Sequence, residues 1–151
     1  MTTLLEQLIP EASQLPLKDA AFLFWRHKFQ LDREEFPTPP PDPTIDPTDP
    51  AVFAPMVRKV MATLIRERQT AHDGPTFGRM KKAHPEAGDA EIKQAITAAV
   101  KFDTDCTSSF SYGSDYSDDL TRAIDRAKAK NPGFLQSTYD AARRALAWAM
   151  R

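Results

Sequence analysis

The sequence predicts an all-α protein, a compact bundle of about six helices with an extended proline-rich strap between the second and third. Three observations carry this. Apolar residues recur at three- and four-residue steps in segment after segment, the period of a helix face. Strict alternation at period two is absent, and no two apolar runs are joined by a hairpin turn signal. Seven of the fourteen residues from Pro37 to Pro50 are proline, which excludes helix and sheet there and leaves polyproline II and turns.

The chain opens with Thr3-Leu4-Leu5-Glu6, the form of a capping box with Thr3 at the N-cap. Leu4, Leu5, Leu8 and Ile9 make a short apolar face that Pro10 is expected to end or kink. A helix this short needs something to dock on. A second helix is expected from Leu17 to Glu35, with Pro16 at its first turn. Its apolar residues, Phe22, Phe24, Trp25, Phe29 and Leu31 among them, cover more than half the circumference. Such a helix is either central in the core or covered by a partner. Residues 1–36 thus read as an N-terminal helical pair and 37–50 as the strap, kept solvated by Asp42, Asp46 and Asp49. Residues 51–151 read as a helical body, the whole forming one compact domain.

In the third helix, from about Ala51 to Ala71, Phe53, Met56, Val57, Val60, Met61, Leu64 and Ile65 form a clean stripe. Arg58, Lys59 and Arg66 fall on its outer side. His72-Asp73-Gly74-Pro75 ends it, and a short helix to Ala83 turns Phe77 and Met80 inward before His84-Pro85 stops it. The longest helix follows, with Asp89 as N-cap and Ile92, Ile96, Ala99, Val100, Cys106 and Phe110 on one face. Asp103 lies near the edge of that face, one turn before Cys106. Gly113 closes the segment, and Ser117 is expected to cap a helix through Lys130 carrying Leu120, Ile124 and Ala127 inward. Asn131-Pro132 then opens a last helix whose inward residues are Phe134, Leu135, Tyr139, Ala142, Leu146 and Met150.

Composition narrows the function classes. With 151 residues, 41% of them hydrophobic, the chain can build a real core. A net charge of −1 with 27% charged residues argues against non-specific nucleic-acid binding, which needs a basic excess. One cysteine forms no intramolecular disulfide and excludes a four-cysteine metal site, so a reducing cytoplasm is the expected setting. The start of the chain has no basic, apolar leader pattern, and no run reaches the ~18 apolar residues of a membrane span.

Two motifs carry partial family resemblances. His72-Asp73, with His27 upstream and Asp103 or Asp105 downstream, resembles the ordered ligands of HD-domain phosphohydrolases. Those enzymes are all-helical and bind a divalent metal that activates water. The resemblance covers four residues and implies metal ligation by His27, His72, Asp73 and Asp103. Arg79-Met80-Lys81-Lys82-Ala83-His84-Pro85-Glu86 is similar to the basic helix and HPD loop of J-domain co-chaperones, with Glu86 where that family has aspartate. Separately, Asp115, Asp118 and Asp119 with Ser114 and Ser117 offer oxygens to a hard cation, outside any EF-hand spacing. Glycine-rich phosphate loops are absent.

No convergent catalytic set emerges, and no cofactor is expected. The leading expectation is a non-enzymatic, cytoplasmic protein-binding or regulatory module whose partner is another protein or a second copy. Neither nucleic acid nor membrane is expected as a partner. Its candidate binding residues are Phe22, Phe24 and Trp25 on the second helix; a separate reading places a small polar ligand at the hinge, among Asp103, Tyr112, Asp115 and Tyr116. The alternative is a metal-dependent phosphohydrolase using His27, His72, Asp73 and Asp103.

Overall fold

A computed structural model describes residues 2–40 and 42–151; Pro41, within the proline-rich stretch, lies outside the described residues. Among those described the chain is all-helical, with eight α-helices rather than about six and no strand. They are α1 (Leu4–Ser13), α2 (Leu17–Arg26), α3 (Lys28–Glu35), α4 (Pro50–Gln69), α5 (Pro75–Ala83), α6 (Asp89–Ser108), α7 (Tyr116–Lys130) and α8 (Gln136–Ala149). A single 3₁₀ turn, Ala71–Asp73, joins α4 to α5.

The core is built on α6. Its face of Ile92, Ile96, Ala99, Val100 and Cys106 is buried as the periodicity requires, and Phe102 joins it. Phe102 is the aromatic centre: Phe22, Phe134 and Tyr139 place their ring centroids 5.2, 5.0 and 5.4 Å away. Edge-on and tilted packing of this kind adds to simple burial. α2 lies against α6 with its apolar residues on nearly every side enclosed, and α1, α5, α7 and α8 complete the layer around the pair.

Several boundaries differ from expectation, each for a physical reason. The helix expected from Leu17 to Glu35 breaks at His27, whose backbone (φ −98°, ψ 11°) leaves the helical path. Neither proline nor glycine marks the break. It lets α3 turn so that Asp32 and Glu35 meet Arg79 of α5. α1 continues through Pro10 to Ser13 instead of ending there, and Thr3 caps it as expected, accepting from the Glu6 amide at 3.2 Å. Gly88 rather than Asp89 is the N-cap of α6. Asp115 rather than Ser117 caps α7, accepting from the amides of Ser117 and Asp118.

The last helix starts at Gln136, not at Asn131-Pro132, because Gly133 sits at φ +95°, a conformation that favours glycine and interrupts a helix. Leu135, expected inside, is exposed as the residue before α8. Its amide and the Thr138 hydroxyl both donate to Oδ1 of Asp19, at 2.8 and 2.5 Å. A buried carboxylate from α2 therefore stands at the start of α8, where the helix dipole favours it and no local side chain caps the helix. Every described residue from Arg33 to Ala51 is exposed. Asp42 and Asp46 organise two turns there by accepting from the amides and hydroxyls of Thr44 and Thr48.

Candidate functional site

The most unusual surface belongs to α4. Asp49 caps its start by accepting from the Ala51 amide at 3.0 Å, and Pro50 occupies the first helical position, where its missing N–H costs nothing. Arg66 and Arg68 close its last turn, as the helix dipole favours. The helix forms as its sequence directs, yet none of its residues is buried. Phe53, Met56, Val57, Val60, Met61 and Ile65, the stripe opposite Lys59 and Arg66, are each between 39 and 55% exposed. Together they present on the order of 500 Å² of apolar surface, toward the top of the range for the largest patch on a monomer.

Only the C-terminal end of α4 is anchored. Arg68 Nη1 contacts Asp103 Oδ2 at 2.9 Å and donates to the Thr104 hydroxyl at 2.9 Å. Glu67 pairs with Lys28 at 3.1 Å. The guanidinium of Arg68 also lies over the Trp25 ring. Leu64 is half-buried here, at one wall of a cleft of about 540 Å³. Trp25, Asp103, Cys106, Leu146 and Trp148 line the remainder. Trp148 is 67% exposed, with the Arg151 guanidinium stacked 3.2 Å from its ring centroid. The cleft is mostly apolar, and its one thiol is quiet. Burial, reinforced by Asp103 and Asp105, pushes Cys106 up to about 12, so no thiolate nucleophile is on offer.

A second depression, about 480 Å³, lies on the other side of Lys28 between α3, the end of α4 and the start of α5. Beside it lies a charge network. Lys28 holds Asp32 at 2.5 Å, while Arg79 donates to Asp32 at 2.7 Å and to Glu35 at 2.8 Å. Burial alone would raise Asp32, but the hydrogen bonds from Lys28 and Arg79 outweigh it and hold the carboxyl below its ordinary value. Arg79 is only 2% exposed, and its Nη1 finds no partner among the described residues. Fully buried arginine needs such carboxylates. The network reads as a fastening between α3 and α5.

The residues singled out from sequence do not assemble into one site. Phe22, Phe24 and Trp25 are core residues rather than an exposed face, because α2 is enclosed on nearly all sides. Asp103 accepts from the Trp25 indole at 3.1 Å and pairs with Arg68. The hinge tyrosines serve the end of α8: Tyr112 donates to the Met150 carbonyl at 2.7 Å and Tyr116 to that of Ala147 at 2.5 Å, with Phe110 packed between their rings. Asp115 is spent on capping. Asp119 is buried, accepting from the Gly113 amide and from Arg122. Two of the three carboxylates of the cation-binding reading, Asp115 and Asp119, are therefore engaged by the fold.

The alternative metal quartet is likewise dispersed. His72 bonds its neighbour Asp73, which also holds Lys93. His27 sits at the α2–α3 break, lowered by burial and then by Arg26, with Glu11 opposing. Among the described residues no three His, Cys, Asp or Glu side chains gather to hold a metal ion. His84 of the co-chaperone-like motif donates to the Ala12 carbonyl at 2.8 Å, joining α5 to α1.

Compared with protein families, curated proteins and solved structures, the chain has no match. The reading of this surface therefore rests on its own chemistry. Among the described residues no helix is long and apolar enough to cross a membrane.

Sequence reasoning missed Trp148, Lys28, Asp19 and the structural role of Arg79. Only Arg79 left a signal: an arginine on the same face of a short helix as Thr76, Met80 and Ala83.

Proposed function

We propose that this chain is a non-enzymatic protein-binding module, and that α4 rather than α2 is its docking element. The observation that carries this is the continuous apolar face of α4, formed on a well-capped helix and left uncovered by the rest of the chain. Leaving about 500 Å² of such surface in water is unfavourable by roughly 12 kcal/mol at 25 cal/mol per Å², so a partner that covers it gains strongly. A helix presenting residues three and four apart suits the helix-in-groove or helix-pair mode of recognition.

A lipid surface is the competing occupant, since amphipathic helices also lie on membranes. Charge favours protein. Across residues 42–69 four acids (Asp42, Asp46, Asp49, Glu67) balance four bases (Arg58, Lys59, Arg66, Arg68). Within α4 the bases outnumber the acid, but Arg68 is already paired with Asp103, and the three aspartates just before the helix oppose attraction to anionic lipid. At 100° per residue Lys59 and Arg66 fall opposite the apolar face, and Arg58 lies at its edge beside Ile65.

Site-specific photo-crosslinking in cells tests the proposal. A benzophenone amino acid replacing Val60 should give polypeptide adducts on illumination, and the same group replacing Lys59 should not. Equal labelling at both positions, or adducts at neither, would overturn the reading.

A further inference from the structure

Resting on that reading, we infer that the occupant of the α4 face is α4 of a second copy of this chain, packed antiparallel about a two-fold axis between Val57 and Val60. The seam is self-complementary. Phe53, Val57, Val60 and Leu64 follow steps of four, three and four, the spacing of a two-helix seam. In the antiparallel register that sets Val57 against Val60 of the second copy, Phe53 meets Leu64 of the second copy. The same contacts recur on the other side of the axis, as an isologous pair requires.

Charge selects the direction. The positions flanking this seam are Ala54, Met56, Met61 and Thr63, all uncharged, so they oppose neither orientation. The ends decide. Asp42, Asp46 and Asp49 precede the helix, and Arg66 and Arg68 finish it. A parallel pair would gather the acids at one end and the arginines at the other. The antiparallel register sets Asp49 against Arg68 of the second copy, with Arg66 close by, and it opposes the two helix dipoles.

The anchoring of α4 supplies the rest of the interface. Leu64 stands at the wall of the cleft that Trp148 and Leu146 line. Phe53 of the second copy, meeting Leu64, therefore arrives at the mouth of that cleft. The two apolar faces together bury roughly 1,000 Å², the lower bound for a specific interface, and the twin cleft contacts raise it further.

Sedimentation velocity on the full chain, across micromolar concentrations, tests this. The wild type should be dimeric. Val60→Glu should weaken self-association about a hundredfold, since it buries a carboxylate in the seam, while leaving the far-UV circular-dichroism spectrum of the folded chain unchanged because Val60 is exposed in the single chain; its melting temperature should fall only by what the lost association contributed. Mixing Phe53→Cys with Leu64→Cys protein under mild oxidation should give a disulfide-linked dimer that neither variant forms alone. Cys106 is buried and does not compete. A wild type that stays monomeric, a dimer indifferent to Val60→Glu, or disulfide-linked dimers within the single variants would each overturn the proposal. A monomeric wild type that still crosslinks an unlike polypeptide from position 60 would sink only the second-copy assignment. A monomer with no adduct would sink the binding reading as well.

Discussion

Replacing Arg79 with methionine should destabilise the protein by about 2 kcal/mol, and the reasoning can be followed bond by bond. Arg79 makes two charge-assisted hydrogen bonds, to Glu35 at 2.8 Å and Asp32 at 2.7 Å, from a side chain 2% exposed. Breaking a fully buried pair costs about 3–5 kcal/mol, chiefly by stranding the remaining charge. Here the stranded groups are better placed. The Asp32 and Glu35 side chains are 26% and 30% exposed, and Lys28 keeps its own bond to Asp32. Methionine also fills much of the volume and removes the unpartnered Nη1, which recovers about 1 kcal/mol. The net loss is about 2 kcal/mol, a fall of about 4–8 °C in Tm for a domain of this size. Urea denaturation of Arg79→Met, Glu35→Gln and the double variant would measure it, with a coupling energy of about 1 kcal/mol expected between the two sites. The acid side gives an independent readout. Asp32 is held below its ordinary value, so its contribution is present above the unfolded carboxylate pKa of about 3.9 and is lost as pH falls through the folded value. The gap between wild type and Arg79→Met should therefore narrow as the pH falls below the unfolded carboxylate value. A variant within about 0.5 kcal/mol of wild type at neutral pH, or a gap unchanged in acid, would refute the argument.

Iodide should quench the wild-type tryptophan emission strongly and that of Trp148→Phe weakly, since Trp25 is 8% exposed. The folded protein should leave a disulfide thiol reagent unreacted near pH 8 and consume one equivalent once unfolded in urea, because burial holds Cys106 protonated; full reaction of the folded form would contradict this. Two glycines should respond with opposite signs in thermal melts. A Cβ on Gly113 would come 2.6 Å from Asp119 Oδ1, so Gly113→Ala should cost about 1–3 kcal/mol, whereas Gly78, inside α5 with open space around its Cβ position, should gain about 0.5–1 kcal/mol as alanine. His27 is held below its ordinary value, so it favours the fold above the unfolded pKa of about 6.5 and that contribution fades as pH drops below it; His27→Gln should flatten this part of the stability profile.

Helix content and most inward faces were legible because both follow from local spacing. Ile92, Ile96 and Ala99 had to share a face, and a shared apolar face on a six-turn helix finds a core. The same logic misled on α4. Periodicity shows that Phe53, Val57 and Val60 point one way, but not what lies in that direction, and among the described residues nothing buries them. The reverse happened on α2, where an apolar surface wide enough for a partner is enclosed by α1, α5, α6 and α8. Buried charge was the least legible feature. Asp19, Lys28 and Arg79 look like ordinary surface residues until partners 39 to 119 positions away are known, and sequence spacing carries no record of those pairings. Hydroxyls and carboxylates at the hinge looked available for a ligand because capping and tyrosine–carbonyl bonds draw on the same chemistry.

The carboxylate that Asp19 lends to the start of α8 ties the two ends of the chain into one folding event. The fastening joins positions more than a hundred residues apart, so it forms only once the start of α8 is present. During synthesis α2 gains its main cover when α6 emerges, and the last of it with α8. Removing residues 1–19 would loosen the start of α8, and neither half would be expected to fold by itself.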